Sequence, residues 1–434
     1  MPSIRSPFSR RTAPSTALVA VCWVAAFSYG CQAPANDTPD AAGDAAPAVD
    51  YAARAQAMAQ EMLIVDTHID VPYRLQENDA DISVRLDSGD FDAVRAKEGG
   101  LNAPFMSIYV PADYQDTGGA KEFADGLIDM VTGFETKWPE LFAVARTPDD
   151  LLAHKAAGKI SLPLGMENGA PIEGDLANLQ HFFDRGIRYI TLTHGRNNHI
   201  SDSSYEPPDN RQWNGLSPFG RELVTEMNRL GVMVDVSHVS DAAFEQAIEV
   251  SAAPMIATHS SCRHFTPGFE RNMSDDMIRA LAENGGVIHI NFGSSFLTEA
   301  ANQHTRGRWA AVRAFAEENG LERDDEQVEA FGEQWLADNP YPYATLDDVV
   351  AHIDHVVQLV GVDHVGLGSD YDGVGDSLPT GLKDVSDFPN LIAALLEKGY
   401  SEADIEKILS GNLMRVWRRV DEVAAEMQSA KAAA

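Results

Sequence analysis

Seven short apolar runs along this chain each carry a residue able to bind or use a metal ion. They are LIVDTHID with His68 and Asp70, LPLGMEN with Glu167, YITLTH with His194, VMVDVSH with His238, PMIATH with His259, HVGLGSD with Asp370, and VIHINF, where His289 sits inside the run. Between them lie longer stretches of helical periodicity, the alternation that builds βα units and a parallel sheet. Candidate strands fall at 63–66, 105–110, 162–167, 189–193, 233–237, 255–258, 286–291 and 365–368. That is the number needed to close a TIM-type (β/α)8 barrel. Residues 141–145 are a further candidate, so one strand is extra or one assignment is wrong. Side chains at the C-terminal tips of parallel strands converge on the barrel mouth, so the pattern fixes both a fold and a place for chemistry.

The connecting segments carry their own punctuation. Ser217 and Pro218 form an N-cap and first turn, Gly231 stops the helix they open, and Leu223, Met227 and Leu230 recur on one side of it. Thr345 opens another helix, with an apolar side running from Leu346 to Leu359. Residues 296–344 break the alternation. Polar, helical in pattern and longer than a normal connection, they read as a helical insertion over or beside the barrel mouth. The barrel domain spans 51–427, and 428–434 read as a loose tail.

Residues 1–30 read as a signal peptide: Arg5, Arg10 and Arg11 precede an apolar segment, 17–27, that is too short to span a bilayer. Ser28-Tyr29-Gly30-Cys31 resembles a lipobox, which would put a lipid on Cys31 and anchor the protein to a membrane in the periplasm or cell envelope. Plain secretion is the alternative. Residues 31–50, rich in Ala, Pro and Asp, read as a disordered tether. With Cys22 and Cys31 accounted for, Cys262 stands alone and reads as a buried structural thiol. The net charge of −33 speaks against a nucleic-acid partner, since phosphate binding needs a basic surface.

His68 and Asp70 stand at i and i+2 of an extended segment, so both point to one side and can bind one ion. His238 and His259 end consecutive strands, and two neutral imidazoles meeting at a point suit Zn2+. Glu167, flanked by Gly165 and Gly169, has two oxygens, and one carboxylate can bridge two ions about 3.5–4 Å apart. A single strand-end histidine is more often a packed rim residue; several at successive tips point to metal. His194 and Asp370 exceed a simple ligand count. Asp370 has the character of a general base and acid, His194 that of a group stabilising an oxyanion. Asp372 reads as a loop carboxylate turned away and His289 as packed or as a support behind the ligands. His264, His304, His352, His355 and His364 read as ordinary surface residues. Arg271 either clamps a substrate carboxylate with its planar fork or forms a surface salt bridge; spacing does not separate the two.

With these residues placed, the chain resembles the membrane (renal-type) dipeptidase family of two-zinc hydrolases on an α/β barrel. The resemblance rests on DTHID, GMENG, LTH, NGLSPFGRELVTEMNRLGVMVDVSH, ATHSSCR, RNMSDDMIR and HVGLGSDYDG, in that order across residues 64–373. It implies one zinc on His68 and Asp70, a second on His238 and His259, and Glu167 bridging them. It further implies Asp370 as proton shuttle, His194 as the contact to substrate and tetrahedral intermediate, and Arg271 as the binder of the substrate's C-terminal carboxylate. A water or hydroxide between the zincs would attack the peptide bond of a dipeptide, those with a C-terminal D-residue being candidates. The family often forms homodimers. Arg196 stands where mammalian members have a half-cystine, and the 296–344 insertion has no aligned counterpart, so specificity stays open. Two other readings compete. An amidohydrolase acting on N-acyl amino acids or lactones would often bridge its metals with a carbamylated lysine, where this chain offers Glu167. A non-catalytic surface lipoprotein would be expected to have lost ligands, and none is missing.

Overall fold

Nine parallel strands alternate with helices: β1 (Ile64–Ile69), β2 (Leu101–Tyr109), β3 (Phe142–Ala145), β4 (Ile160–Glu167), β5 (Ile187–Thr191), β6 (Met233–Asp235), β7 (Ile256–Ala257), β8 (Val287–Ile290) and β9 (Val365–Leu367). The structure, a computed structural model, describes residues 50–322 and 325–433. The expected signal peptide, the lipidation of Cys31 and the tether up to residue 49 lie outside the described residues. Asp50, assigned to the tether, instead caps the first helix, Tyr51–Glu61, its side chain accepting from Ala53 N at 3.0 Å.

Hydrogen bonding runs β1-β2-β4-β5-β6-β7-β8-β9, eight strands forming a nearly closed barrel. β3 pairs only with β4, from Phe142 opposite Ile160 to Ala145 opposite Pro163, so the surplus candidate is a true strand outside the barrel. Helices cover the outer face, and strands wrapped on both sides lose all exposure; β1 and β4 are buried at every residue. The helix Pro218–Leu230 begins and ends as its punctuation indicates. Ser217 Oγ accepts from Gly220 N at 2.9 Å, and Gly231 stops it at φ 88°.

The seam between β1 and β9 is not a regular ladder. It consists of a bridge from Ile69 to Tyr371, with Asp70 N donating to Tyr371 O at 2.8 Å and Asp370 N donating to His68 O at 3.0 Å. Below it the Asp66 carboxylate accepts from Ser369 N at 2.9 Å and from the Ser369 hydroxyl.

The helix Asn412–Ala433 closes the other end of the barrel. Trp417, fully buried, packs 5.5 Å from Phe105 within a cluster that includes Val65, Met233, Ile256 and Val287. Gln428 Nε2 donates to Arg229 O at 2.7 Å, so residues 428–433 continue this helix rather than forming a loose tail.

Within 296–344 lie the helices Glu299–Asn319 and Glu326–Asp338, with Phe315 stacked on Phe331 at 4.3 Å. They bury little else: Ala301 and Asn302 in the first, Val328 and Gly332 in the second. Cys262 is buried beside His352. His352 corrects the surface reading. It falls on the apolar side of the helix Leu346–Val360, between Val349 and Val356, and has no exposure. Its Nδ1 accepts from Cys262 N at 3.0 Å, so Nε2 carries the proton and donates to Leu297 O at 3.0 Å. Among the described residues no helix is long and apolar enough to cross a membrane.

Replacing Trp417 with alanine should destabilise the fold by about 3–5 kcal/mol, the cost of emptying a large aromatic site. A lowered urea midpoint with an unchanged slope is the expected reading; an unchanged midpoint would mean that the helix does not seal the barrel.

Candidate metal centre

His68 lies within β1 and Glu167 is the last residue of β4, whereas His194, His238, His259 and Asp370 lie just past β5, β6, β7 and β9. The ladders stop early because the chain turns inward there. His238 and Asp370 have φ of 69° and 64°, left-handed values that no strand contains and that His and Asp tolerate better than bulkier residues.

Two buried carboxylates hold these tips in place. Asp66 ties β1 to Ser369, next to Asp370. Asp235 accepts from Thr191 Oγ1 at 2.5 Å and from Thr258 Oγ1 at 2.6 Å, and its other oxygen accepts from Ser237 N at 3.0 Å and Thr258 N at 2.9 Å. A carboxylate only accepts, so Thr258 spends its one hydroxyl proton on Asp235 and must accept from His259 Nδ1, 2.8 Å away. His259 Nε2 is thereby left with its lone pair toward the centre, the tautomer a metal ligand requires. On the other side His68 Nδ1 lies 2.9 Å from the Tyr189 hydroxyl, leaving its Nε2 inward.

The inward atoms surround Glu167. His238 Nε2 and His259 Nε2 stand 3.0 and 3.2 Å from Glu167 Oε1, His194 Nε2 stands 3.6 Å from it, and His68 Nε2 stands 3.4 Å from Oε2. Asp70 Oδ2 lies 3.5 Å from His68 Nε2. The Nε2 atoms of His238 and His259 are 2.8 Å apart, a separation that needs a proton or a cation between them. His68 Nε2 and Asp70 Oδ1 are buried without a hydrogen-bond partner. Buried polar atoms are rarely left so, and this concentration fits a site built for ions.

The electrostatics agree. Burial pushes His238 well down and His259 down to about 4, and lowers His194, keeping the rings in the neutral form that binds metal. Burial opposes ionisation of Glu167, yet the surrounding imidazoles outweigh it and hold the carboxyl well below its usual range. Burial likewise opposes charging His68, but Tyr189, Glu167 and Asp70 raise it well above its ordinary value. The centre draws positive charge.

Ligand atoms gather into the groups His68/Glu167/His259 and Glu167/His194/His238, with His68/Asp70/Asp370 alongside. The shared Glu167 suggests a binuclear metal site. The grouping differs from the expected pairs: His259 faces both neighbours, and His194 reaches into the second group.

Several participants carry no signal that the sequence displays on its own. Asn291 is the polar tip of the VIHINF run, and its Nδ2 donates to Asp370 Oδ2 at 2.7 Å. His289, by contrast, is buried with Nδ1 2.9 Å from Ala257 O, packed as read. Asp372 is not turned away. It borders the cavity at the centre, 3.2 Å from Arg74 Nε, and accepts from Asp90 N at 2.7 Å. Arg271 is no surface residue: 3 % exposed, it donates to Ser260 Oγ at 2.7 Å and His259 O at 2.8 Å, and its Nε has no partner. A cavity of about 950 Å³ opens from Glu167, His194, His238 and Asp370 toward the insertion.

Known proteins place this architecture. The sequence profile described as membrane dipeptidase (peptidase family M19) matches residues 52–431. An uncharacterized dipeptidase of Schizosaccharomyces pombe is 32% identical over 383 residues, 84% of this chain and 82% of that protein. The crystal structure of the probable dipeptidase PvdM from Pseudomonas aeruginosa aligns with a TM-score of 0.74 at 28% identity, covering 86% of this chain and 99% of that one. A Rhodobacter sphaeroides metallopeptidase liganded with a phosphinate mimic of L-Ala-D-Ala aligns with a TM-score of 0.67 at 27% identity, covering 83% and 99%. The chain belongs to the membrane dipeptidase family, peptidase family M19, as a metallo-dipeptidase with a buried His/Glu metal-binding cluster.

Proposed function

We propose that this dipeptidase is a two-zinc enzyme in which Glu167 bridges the ions, with His68 and Asp70 on one side and His238 and His259 on the other. The observation that carries this is the division of Glu167, whose Oε2 faces His68 while its Oε1 faces His238 and His259. When bound, the metals would supply Lewis-acid activation of the scissile carbonyl and of the attacking water.

The remaining groups are the chain's own. Asp370 takes a proton from the attacking water and passes it to the leaving amine. Asn291 fixes its Oδ2, and burial raises its pKa, which suits a group that must both accept and donate. Its Oδ1 stays clear because position 373 is glycine; a Cβ there would stand 2.2 Å from it. His194 is the site imidazole most open to the cavity, its side chain 25% exposed against 6% or less for His68, His238 and His259. Kept neutral by burial, it donates to the developing oxyanion. Arg271 receives the substrate's C-terminal carboxylate. A buried guanidinium with no ion pair among the described residues is costly, and an anionic ligand completes it. Dipeptides with a C-terminal D-residue are within this scheme, as the liganded Rhodobacter sphaeroides relative encourages. Export and a lipid anchor on Cys31 remain part of the proposal, with membrane release of Cys31→Ser as their measure.

Metal analysis of the purified chain should return two zincs, and Glu167→Ala should lose both; one ion in the parent would sink the bridged arrangement. Asp370→Asn should keep both metals and lower kcat by about a hundredfold or more, the usual scale for a lost acid–base group. His194→Gln separates two roles: retained metal with reduced kcat places it on the substrate, whereas loss of an ion makes it a ligand.

A further inference from the structure

The large apolar side chains most exposed among the described residues are Val84, Leu152, Tyr205, Trp213, Trp309 and Tyr343. Three of these, Tyr205, Trp309 and Tyr343, line the cavity that opens from the metal centre. Exposed aromatics are ordinarily scattered; rings gathered around one concave site mark a binding surface. Tyr341 continues this wall, meeting Tyr343 edge-on at 5.0 Å and His304 edge-on at 5.0 Å.

Most of the wall comes from the insertion, while the hydrolytic groups lie at the barrel tips. The two sets face one space of about 950 Å³, near the top of the roughly 300–1,000 Å³ that small-molecule sites occupy. A dipeptide of two small residues, lodged against Glu167 and Asp370, would leave the aromatic side of this space to water. That side carries charge as well as rings: Glu77 and Asp376 line the cavity, and Lys383 Nζ sits 4.0 Å over the Tyr343 ring, leaving that ring's edge and other face to a ligand. Arg74 is paired with Asp372 at 3.2 Å, and Asp376 accepts from the Tyr343 hydroxyl at 2.8 Å. Arg308 lines the same space, and its Nε has no hydrogen-bond partner. A guanidinium plane of this kind stacks well on an aromatic ring.

We infer that the insertion forms a side-chain subsite selecting dipeptides that carry an aromatic residue, an inference that rests on the dipeptidase reading of the centre. Edge-to-face and stacked contacts with Trp309, Tyr341 and Tyr343 would hold the substrate ring, while the peptide bond lies against the metal-binding residues. The hydrolytic steps themselves are unchanged.

The test uses the full metal-loaded chain and two substrate series, X-Ala and Ala-X, with X as Ala, Leu, Phe or Trp. In the parent, kcat/KM for Phe or Trp should exceed that for Ala by about tenfold or more in at least one series. The double variant Trp309→Ala/Tyr343→Ala, with metal content checked, should collapse that ratio about tenfold, chiefly through KM. Both side chains are substantially exposed, so the variant should fold; a single Tyr341→Phe variant, which keeps the ring, should retain the preference. Cleavage with no aromatic preference, or a ratio untouched by the double variant, overturns the subsite alone. If no dipeptide in either series is cleaved, the reading of the reaction falls and the subsite with it.

Discussion

The barrel closes through residues of its candidate metal centre. Where a regular ladder would join β1 to β9, the bonds instead run from Asp370 N to His68 O and from Asp70 N to Tyr371 O. Asp66 reinforces the seam through Ser369, and hydrogen bonds to a charged acceptor contribute about 1.5–3 kcal/mol each. Fold and site are thus one structure: to open the seam is to separate His68 and Asp70 from Asp370. Asp235 repeats the device across the barrel, where one carboxylate anchors Thr191 and Thr258 and sets the tautomer of His259.

Such an interior would be unfavourable in most proteins. Carboxylates and imidazoles crowd together with most of their surface buried, and several of their atoms have no hydrogen-bond partner. Two kinds of satisfaction divide the work. Backbone N–H groups and hydroxyls complete Asp66 and Asp235 below, while Glu167 and the inward ring nitrogens above are left for cations. The lower layer is a fixed frame, and the upper layer is a set of open valences that frame has oriented.

Much of this was legible in the sequence because period and position coincide. Apolar runs ending in His, Asp or Glu gave the strands, their number and the convergence of His68, Glu167, His238 and His259. What was not legible depends on contacts between distant residues. Asp372 finds Arg74 and Asp90 only after folding, so its loop looked solvent-facing. The spacing could not tell a clamp from a surface ion pair at Arg271, because burial decides between them. Asn291 was hidden by its more conspicuous neighbour His289. His352 shows the converse: its place on the apolar side of a helix was readable, but residue type outweighed position. The strand tips run short: the β6 and β9 ladders end at Asp235 and Leu367, and left-handed residues follow at His238 and Asp370.

The insertion has a consequence for how this enzyme can change over time. Its two helices lean on each other through Phe315 and Phe331 and bury few residues elsewhere. The conformational cost of lengthening such an excursion grows only with the logarithm of its length. Lineages can therefore rebuild this roof, or shed it, with little effect on barrel stability. The floor has less freedom, since His68, Asp70 and Asp370 there also carry the seam between β1 and β9. The molecule thus joins a floor whose residues also hold the barrel together to a roof that can be rebuilt at little cost to it.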